Sequence, residues 1–340
     1  MAEAAVHRML TTAPETEHPP LAFDYDDVTL VPRLPSTLAH RADAKPGLRF
    51  GSVQLRVPLL GSPMPDVCGV DMCIALAQHG ALGVLHRFQS IETQVEQLQQ
   101  VLSTGGAAGA AVAATGDYQD RFRRLIDAGC RVICIDTANG AHVQVGDALA
   151  WMRAQSSDVL VVAGNVASGE AFRWLEDAGA DAIRVGIAGG SVCETRTETG
   201  VFAPTPYAVA EAASVRRRAL LIGDSGIRQP ADMCKLLALG ADCVMVGSVL
   251  AGTYEAPGRV IVVDGKKHKI MRGAASFSVQ QEYGGDDPEY IEGSETMVPY
   301  KGHVAEVIRR YLAGLRSSMS YMDARTLEEY RHNVSVLRLR

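Results

Sequence analysis

The chain has 340 residues, 47% of them apolar and 21% charged, enough to bury a large core as one barrel or as two smaller domains. Its net charge of −6 argues against a general nucleic-acid surface. No apolar run approaches the roughly 20 residues of a membrane span, and the start lacks the apolar stretch of a signal peptide, so the expectation is a cytoplasmic protein that binds neither nucleic acid nor membrane.

In chain order, residues 1–20, ending APETEHPP, carry no periodic apolar pattern and read as a flexible tail. From about residue 56 short apolar runs of strand length recur: VPLLG (57–61), LGVL (82–85), GAAVA (109–113), RVICID (131–136), VLVVA (159–163), DAIRV (181–185), ALLIG (219–223) and DCVMV (242–246). Amphipathic helical stretches lie between them, such as SIETQVEQLQQVL, YQDRFRRLIDAG, SGEAFRWLEDAG and QPADMCKLLALG, with apolar residues three and four apart. Where helix gives way to strand, QHGALGVL, DAGCRVICID, DAGADAIRV and ALGADCVMV each place a glycine where a helix C-cap needs positive φ. Eight strands that are apolar without a period of two point to parallel strands buried on both faces, hence a (β/α)8 TIM barrel. A doubly wound open sheet is the alternative, and the count of eight favours closure.

The seven cysteines are odd in number and form no CxxC pair, so most read as core thiols rather than disulfides or metal ligands. Cys193 differs, because GIAGGSVCETRTETG (186–200) sets it in a glycine-rich loop with hydroxyls and charges. In a barrel, chemistry belongs to the loops after the strand C-terminal ends. Those loops carry Asp136-Thr137-Ala138-Asn139-Gly140, Gly164-Asn165, the Cys193 stretch, Asp224-Ser225-Gly226 and Gly247-Ser248. Small residues at 186, 189, 190, 191, 226, 247 and 248 would let backbone N–H groups approach a phosphate. His86 and His142 read as packing or loop residues, and the arginines at 216–218 as a solvated helix end.

A collinear series runs from FDYDDVTLVPRLPS through IDTANG, GNVASGEA, GGSVCETR, GDSGIRQPADMCKLLALGADCVMVGSVLAG, RGAAS and EGSETMVPYKG to GLRSSMSYMDARTLEE. By that series the chain resembles the IMP dehydrogenase and GMP reductase superfamily over nearly its whole length. The resemblance implies a single barrel domain over residues 21–340, a C-terminal flap at about 252–300, and a homotetramer. Three features favour the reductase branch. HRFQSIETQVEQ runs directly into the next strand with no paired CBS module; only 18 residues separate Gly273 from Glu292, leaving little room for the dehydrogenase Arg-Tyr insertion; and DTANG carries the reductase-like Ala-Asn-Gly.

The resemblance further implies NADPH-dependent reductive deamination at C2 of a guanine-type ribonucleoside 5'-monophosphate. Cys193 would be the covalent nucleophile, with Thr195 and Glu292 moving protons. Asp224 would hold the ribose hydroxyls, and Ser191, Gly226, Gly247 and Ser248 the phosphate, with Ser225, Arg272, Gly273, Ala274 and Gly293 completing the substrate site. Arg87, Asp136, Ala138, Asn139, Arg316 and Ser317 would hold NADPH. Main-chain carbonyls around 188, 190 and 193, with Gly190 and Cys193 foremost, match a potassium site of many relatives.

Departures from the family pattern cluster near the base. Ala188-Gly189-Gly190-Ser191 replaces Gly-Pro-Gly-Ser, Ser225 replaces a glycine, Met271 a tyrosine and Ala274 a methionine that lies against the base. Glu289-Tyr290-Ile291-Glu292-Gly293 stands where reductases read Arg-Ala-Ser-Glu-Gly. Ala274 would free room for an enlarged purine, such as the 7-cyano-7-deazaguanine (preQ0) ribonucleotide that relatives in 7-deazapurine nucleoside antibiotic pathways deaminate. Two other readings are an IMP dehydrogenase lacking CBS domains and a non-catalytic purine nucleotide-binding protein.

Overall fold

In the computed structural model, which describes residues 21–283 and 290–339, eight parallel strands pair side by side and the eighth pairs with the first. They are Leu59–Gly61, Leu82–Leu85, Ala108–Val112, Val132–Ile135, Leu160–Val166, Ala182–Val185, Leu220–Asp224 and Cys243–Val246. The (β/α)8 barrel expected from eight non-alternating apolar runs is therefore present, with strand ends within three residues of the expected ones. The first strand starts late because Pro58 has no N–H to donate to the ladder. The tail assigned to residues 1–20 lies outside the described residues.

Two cores hold the barrel. Leu60, Val84, Val132, Val162, Ile222 and Met245 fill its interior. A larger cluster packs the outer strand faces against the surrounding helices, including Ile91–Ser103, Tyr118–Asp127, Gly169–Asp177 and Pro230–Ala238. The junction glycines behave as their position requires: Gly80, Gly129, Gly179 and Gly240 all have positive φ, between 80° and 121°. At Gly240 a Cβ would come within 2.5 Å of the Ala213 Cβ, so helix packing as well as backbone conformation demands glycine there.

The N-terminal end of the barrel is plugged by the hairpin Leu48–Phe50 and Val53–Leu55, whose fully buried Phe50 and Leu55 join the interior core. Beyond the eighth strand, Ile261–Val263, Lys266–Arg272 and Glu295–Pro299 form a three-stranded antiparallel sheet over the opposite end. Its base is pinned by buried Lys269, whose ammonium donates to the carbonyls of Thr253 at 2.9 Å and Tyr254 at 3.3 Å and to that of Ala256. The chain ends meet where Val28–Pro32 pairs antiparallel with Val334–Arg338.

The arginines at 216–218 follow the helix Thr205–Val215, and Arg217 and Arg218 are exposed as a solvated helix end requires, whereas Arg216 is half-buried. Arg216 donates to Asp242 at 2.6 Å and the Arg218 guanidinium to the Glu176 carbonyl. The buried Glu176 carboxylate collects the backbone N–H groups of 217, 218 and 219. Unpaired donors entering a strand need acceptors, and Glu176 supplies them. Among the described residues no helix is long and apolar enough to cross a membrane.

Candidate active site

The loops after the C-terminal strand ends enclose a cavity of about 550 Å³. Cys193 lies on its wall and is half-buried, whereas the other six cysteines are buried in the core. The thiol donates to Thr195 Oγ1 at 3.3 Å, and the Thr195 hydroxyl donates to Glu292 Oε2 at 2.7 Å. A thiol, a hydroxyl and a carboxylate thus form one chain of donors and acceptors along which a proton can leave sulfur. The sequence interval between Thr195 and Glu292 is bridged by backbone: Glu194 N–H donates to Glu292 O at 2.8 Å and Ser294 N–H to Val192 O at 3.0 Å, around a bridge pairing Cys193 with Gly293. Side chains at Gly273 and Gly293 would block this zipper, because a Cβ would meet Val192 O at 2.6 Å and Ser276 N at 2.7 Å respectively.

The floor is ionic. Arg184 projects from the sixth strand with a side chain only 8% exposed, donating to Asp136 Oδ1 at 2.7 Å and to Asp224 Oδ2 at 2.9 Å. Burial disfavours the guanidinium's charge, but the neighbouring Asp224, Cys134 and Asp136 more than offset that cost. Asn165 Nδ2 donates to the same Asp224 oxygen at 2.9 Å and to Gly186 O at 2.8 Å. Sequence reasoning assigned roles to Asp136 and Asp224, placed Asn165 among the strand-end loops without a role, and missed Arg184. The available signal was an arginine inside the apolar run DAIRV, a residue seldom fully buried unless paired.

Gly226, Gly247 and Ser248 all line the cavity, and a Cβ on Gly247 would lie 3.4 Å from the Met271 Cε. Ser225 and Ala188 both adopt left-handed backbone, with φ of 77° and 62°, a conformation that costs a non-glycine residue energy. The Ser225 hydroxyl lies 3.2 Å from Thr205 Oγ1 and fills the space a Cβ on Gly189 would need, at 2.7 Å. Serine at 225 and glycine at 189 therefore go together. The Tyr25 hydroxyl donates to Ser225 O at 2.8 Å, and burial, reinforced by Asp232 and Asp24, raises its pKa so that it stays a phenol.

Of the expected substrate residues, Ser191, Asp224, Ser225, Gly226, Gly247, Ser248, Gly273, Ala274 and Gly293 line the cavity. Arg272 does not line it: Asp66 takes its fork at 2.8 and 2.9 Å and Glu282 its remaining edge at 2.7 Å, so it ties the segment after the eighth strand to the loop after the first. Of the expected cofactor residues, Arg87, Asp136 and Ala138 line both this cavity and an adjoining one of about 310 Å³, where Asn139 joins them. Arg316 and Ser317 lie on the outer helix Val304–Tyr321 and line neither. Gly190 O, one of the carbonyls expected to face potassium, accepts the Cys193 N–H at 3.2 Å. Three carbonyls are also fewer oxygens than a hard cation takes, so this chain's own residues do not complete such a site. His86 is buried, and His142 caps the helix Val143–Gln155 by accepting from Gln144 N–H at 3.2 Å.

The model of the IMP dehydrogenase / GMP reductase domain matches residues 22–340. A GMP reductase of Lactobacillus delbrueckii subsp. bulgaricus is 35% identical over 311 residues, covering 90% of this chain and 92% of its own. An inosine-5'-monophosphate dehydrogenase of Aquifex aeolicus is 41% identical over 241 residues, 68% of this chain and 49% of its own. Another of that name, from Borreliella burgdorferi, is 29% identical with 94% of both chains covered, so overall length does not separate the two names. With a family match that spans the whole barrel and the Cys193 loop and flap within it, the chain belongs to the IMP dehydrogenase / GMP reductase family.

Proposed function

We propose that this protein catalyses NADPH-dependent reductive deamination at C2 of a guanine-type ribonucleoside 5'-monophosphate. The observation that carries the reading is the hydrogen-bonded series Cys193, Thr195, Glu292 opening into a cavity that also presents Asp224 and the small residues 226, 247 and 248. The Cys193 thiol gives its proton to the Thr195–Glu292 pair and its sulfur attacks C2, forming a C–S bond. The same pair returns a proton to the 2-amino group, which leaves as ammonia, and a thioimidate on Cys193 remains. Arg87, Asp136, Ala138 and Asn139 would hold NADPH, which would supply the hydride that replaces sulfur at C2. Cys193 would then leave as thiolate and take a fresh proton from solvent by way of Glu292 and Thr195. The fit of the cofactor rests on two features: the adjoining cavity shares Arg87, Asp136, Thr137 and Ala138 with the nucleotide cavity, and Arg87 Nε, ion-paired to Asp136 Oδ2 at 3.7 Å, makes no hydrogen bond among the described residues.

The finer substrate proposal is the 7-cyano-7-deazaguanine ribonucleotide, supported by Ala274 on the cavity wall in place of a larger side chain. A homotetramer belongs to the same reading: Arg316 and Ser317 line neither cavity of this chain, and the reading has them meet the cofactor of a neighbouring copy. NADPH oxidation, with ammonia and product mass measured for GMP and for the deazaguanine nucleotide in parallel, tests all of this. Stoichiometric ammonia from either nucleotide is expected, and greater efficiency on GMP removes the deazapurine refinement. NADH production from IMP and NAD would overturn the reading in favour of a dehydrogenase, and tight binding without turnover would overturn it in favour of a binding protein.

A further inference from the structure

We infer that Arg184 is a positioning residue for ribose recognition: it locks one oxygen of Asp224 and so aims the other at the 2'- and 3'-hydroxyls of a bound ribonucleotide. The inference rests on the nucleotide reading above. Asp224 Oδ2 is saturated from inside the protein, by Asn165 Nδ2 and by the Nε and Nη2 of Arg184, each at 2.9 Å. No donor among the described residues meets Oδ1, although Asp224 is only 6% exposed and lines the cavity. A buried carboxylate with one oxygen fully engaged and the other facing a cavity is built to accept hydrogen bonds from a ligand.

The guanidinium is itself held from the far side. Its Nη1 donates to Asp136 Oδ1 at 2.7 Å, and Asp136 stands just past the fourth strand whereas Asp224 ends the seventh. A planar fork fixed at both edges cannot turn without breaking an ion pair, so the Asp224 carboxylate is fixed as well. Backbone crowding adds to this, since a Cβ on Gly164 would lie 2.7 Å from the Arg184 Cβ. An arginine serving only to neutralise the two carboxylates would also touch both; what that role does not require is an Asp224 oxygen left without a donor beside the cavity.

The discrimination between a ribonucleotide and its 2'-deoxy analogue reads this role directly, and a purely structural ion pair would not move it. Calorimetric titration of the full-length protein with GMP and with 2'-deoxy-GMP, in wild type, Arg184→Gln and Arg184→Lys, gives the ratio without requiring turnover. The wild type should prefer GMP by roughly tenfold or more, because a site built to pair a hydroxyl rejects the analogue lacking it. Both variants should narrow the ratio to within about threefold, Arg184→Lys because it keeps the charge but loses the fork, with a cooperative melt showing that each is folded. If Arg184→Gln does not fold, Arg184→Lys decides. A folded variant that keeps the wild-type ratio overturns the inference, as does a wild type that binds both nucleotides equally. If the wild type binds neither, the same titration is run with the 7-cyano-7-deazaguanine ribonucleotide and its 2'-deoxy analogue, and failure to bind those as well overturns the proposed function and takes the inference with it.

Discussion

The two ends of the barrel are closed in opposite ways. At the N-terminal end a hairpin inserts Phe50 and Leu55 into the interior core, leaving a dry apolar seal. At the C-terminal end the same eight strands lead into Asp136, Asn165, Gly186, Asp224 and Gly247, and the flap closes over them through backbone bridges at 192–194 and 292–294 and through polar side chains such as the Arg272–Asp66 fork. The strands are alike in their apolar runs, so the distinction lies in the residues at their two ends. One end stores stability, and the other holds polar groups whose partners are incomplete inside the chain. Substitutions at the two ends should accordingly separate rate from stability.

The largest effect is expected at Cys193. Cys193→Ala should lower turnover by about 10³-fold or more while shifting stability little, because no other thiol lines the cavity; steady-state rates beside urea titrations measure both. At the sealed end, Phe50→Ala should cost about 3–5 kcal/mol of stability and leave kcat unchanged for the folded fraction, which denaturant titration and rates well below the melting temperature would show. A matching loss of kcat would mean that the two ends are not independent.

Thr195→Val and Glu292→Gln should each slow turnover by about 10²–10³-fold. The double variant should cost about as much as the worse single one, since both act in one proton path; additive losses would break the relay into separate roles. His86 gives the smallest effect. Burial, ahead of the opposing influence of Asp66, brings its pKa from 6.5 down to about 4. Between those values the unfolded chain binds a proton that the folded protein does not, so stability is complete above pH 6.5 and falls toward pH 4, by about 3 kcal/mol. Urea midpoints across that window should track this slope, and His86→Gln should flatten it.

Much of the barrel was legible because its signals are local. Eight continuous apolar runs, four clean amphipathic stripes and four junction glycines each report on a few adjacent residues. Helices such as Val70–Gln78 and Thr205–Val215 carry no such stripe, because apolar residues surround them and short-range periodicity is blurred. In the site, Cys193, Thr195 and Glu292 were found through family resemblance rather than spacing, since their contact depends on a flap folding back across the sequence. What escaped was pairing. Nothing local shows that Arg272 belongs to Asp66, that Arg218 meets the Glu176 carbonyl or that Arg184 joins two strand ends; each arginine had several carboxylates available, and only the barrel's closure chose among them.

The most direct test of the account is to quench the enzyme during turnover with the guanine-type nucleotide and NADPH and to weigh the peptide that contains residue 193. The account predicts that this peptide carries the mass of the deaminated nucleotide in the wild type, gains nothing in Cys193→Ala, and that Cys193→Ala is inactive. Undiminished turnover in Cys193→Ala, with an unmodified peptide in the wild type, would contradict it.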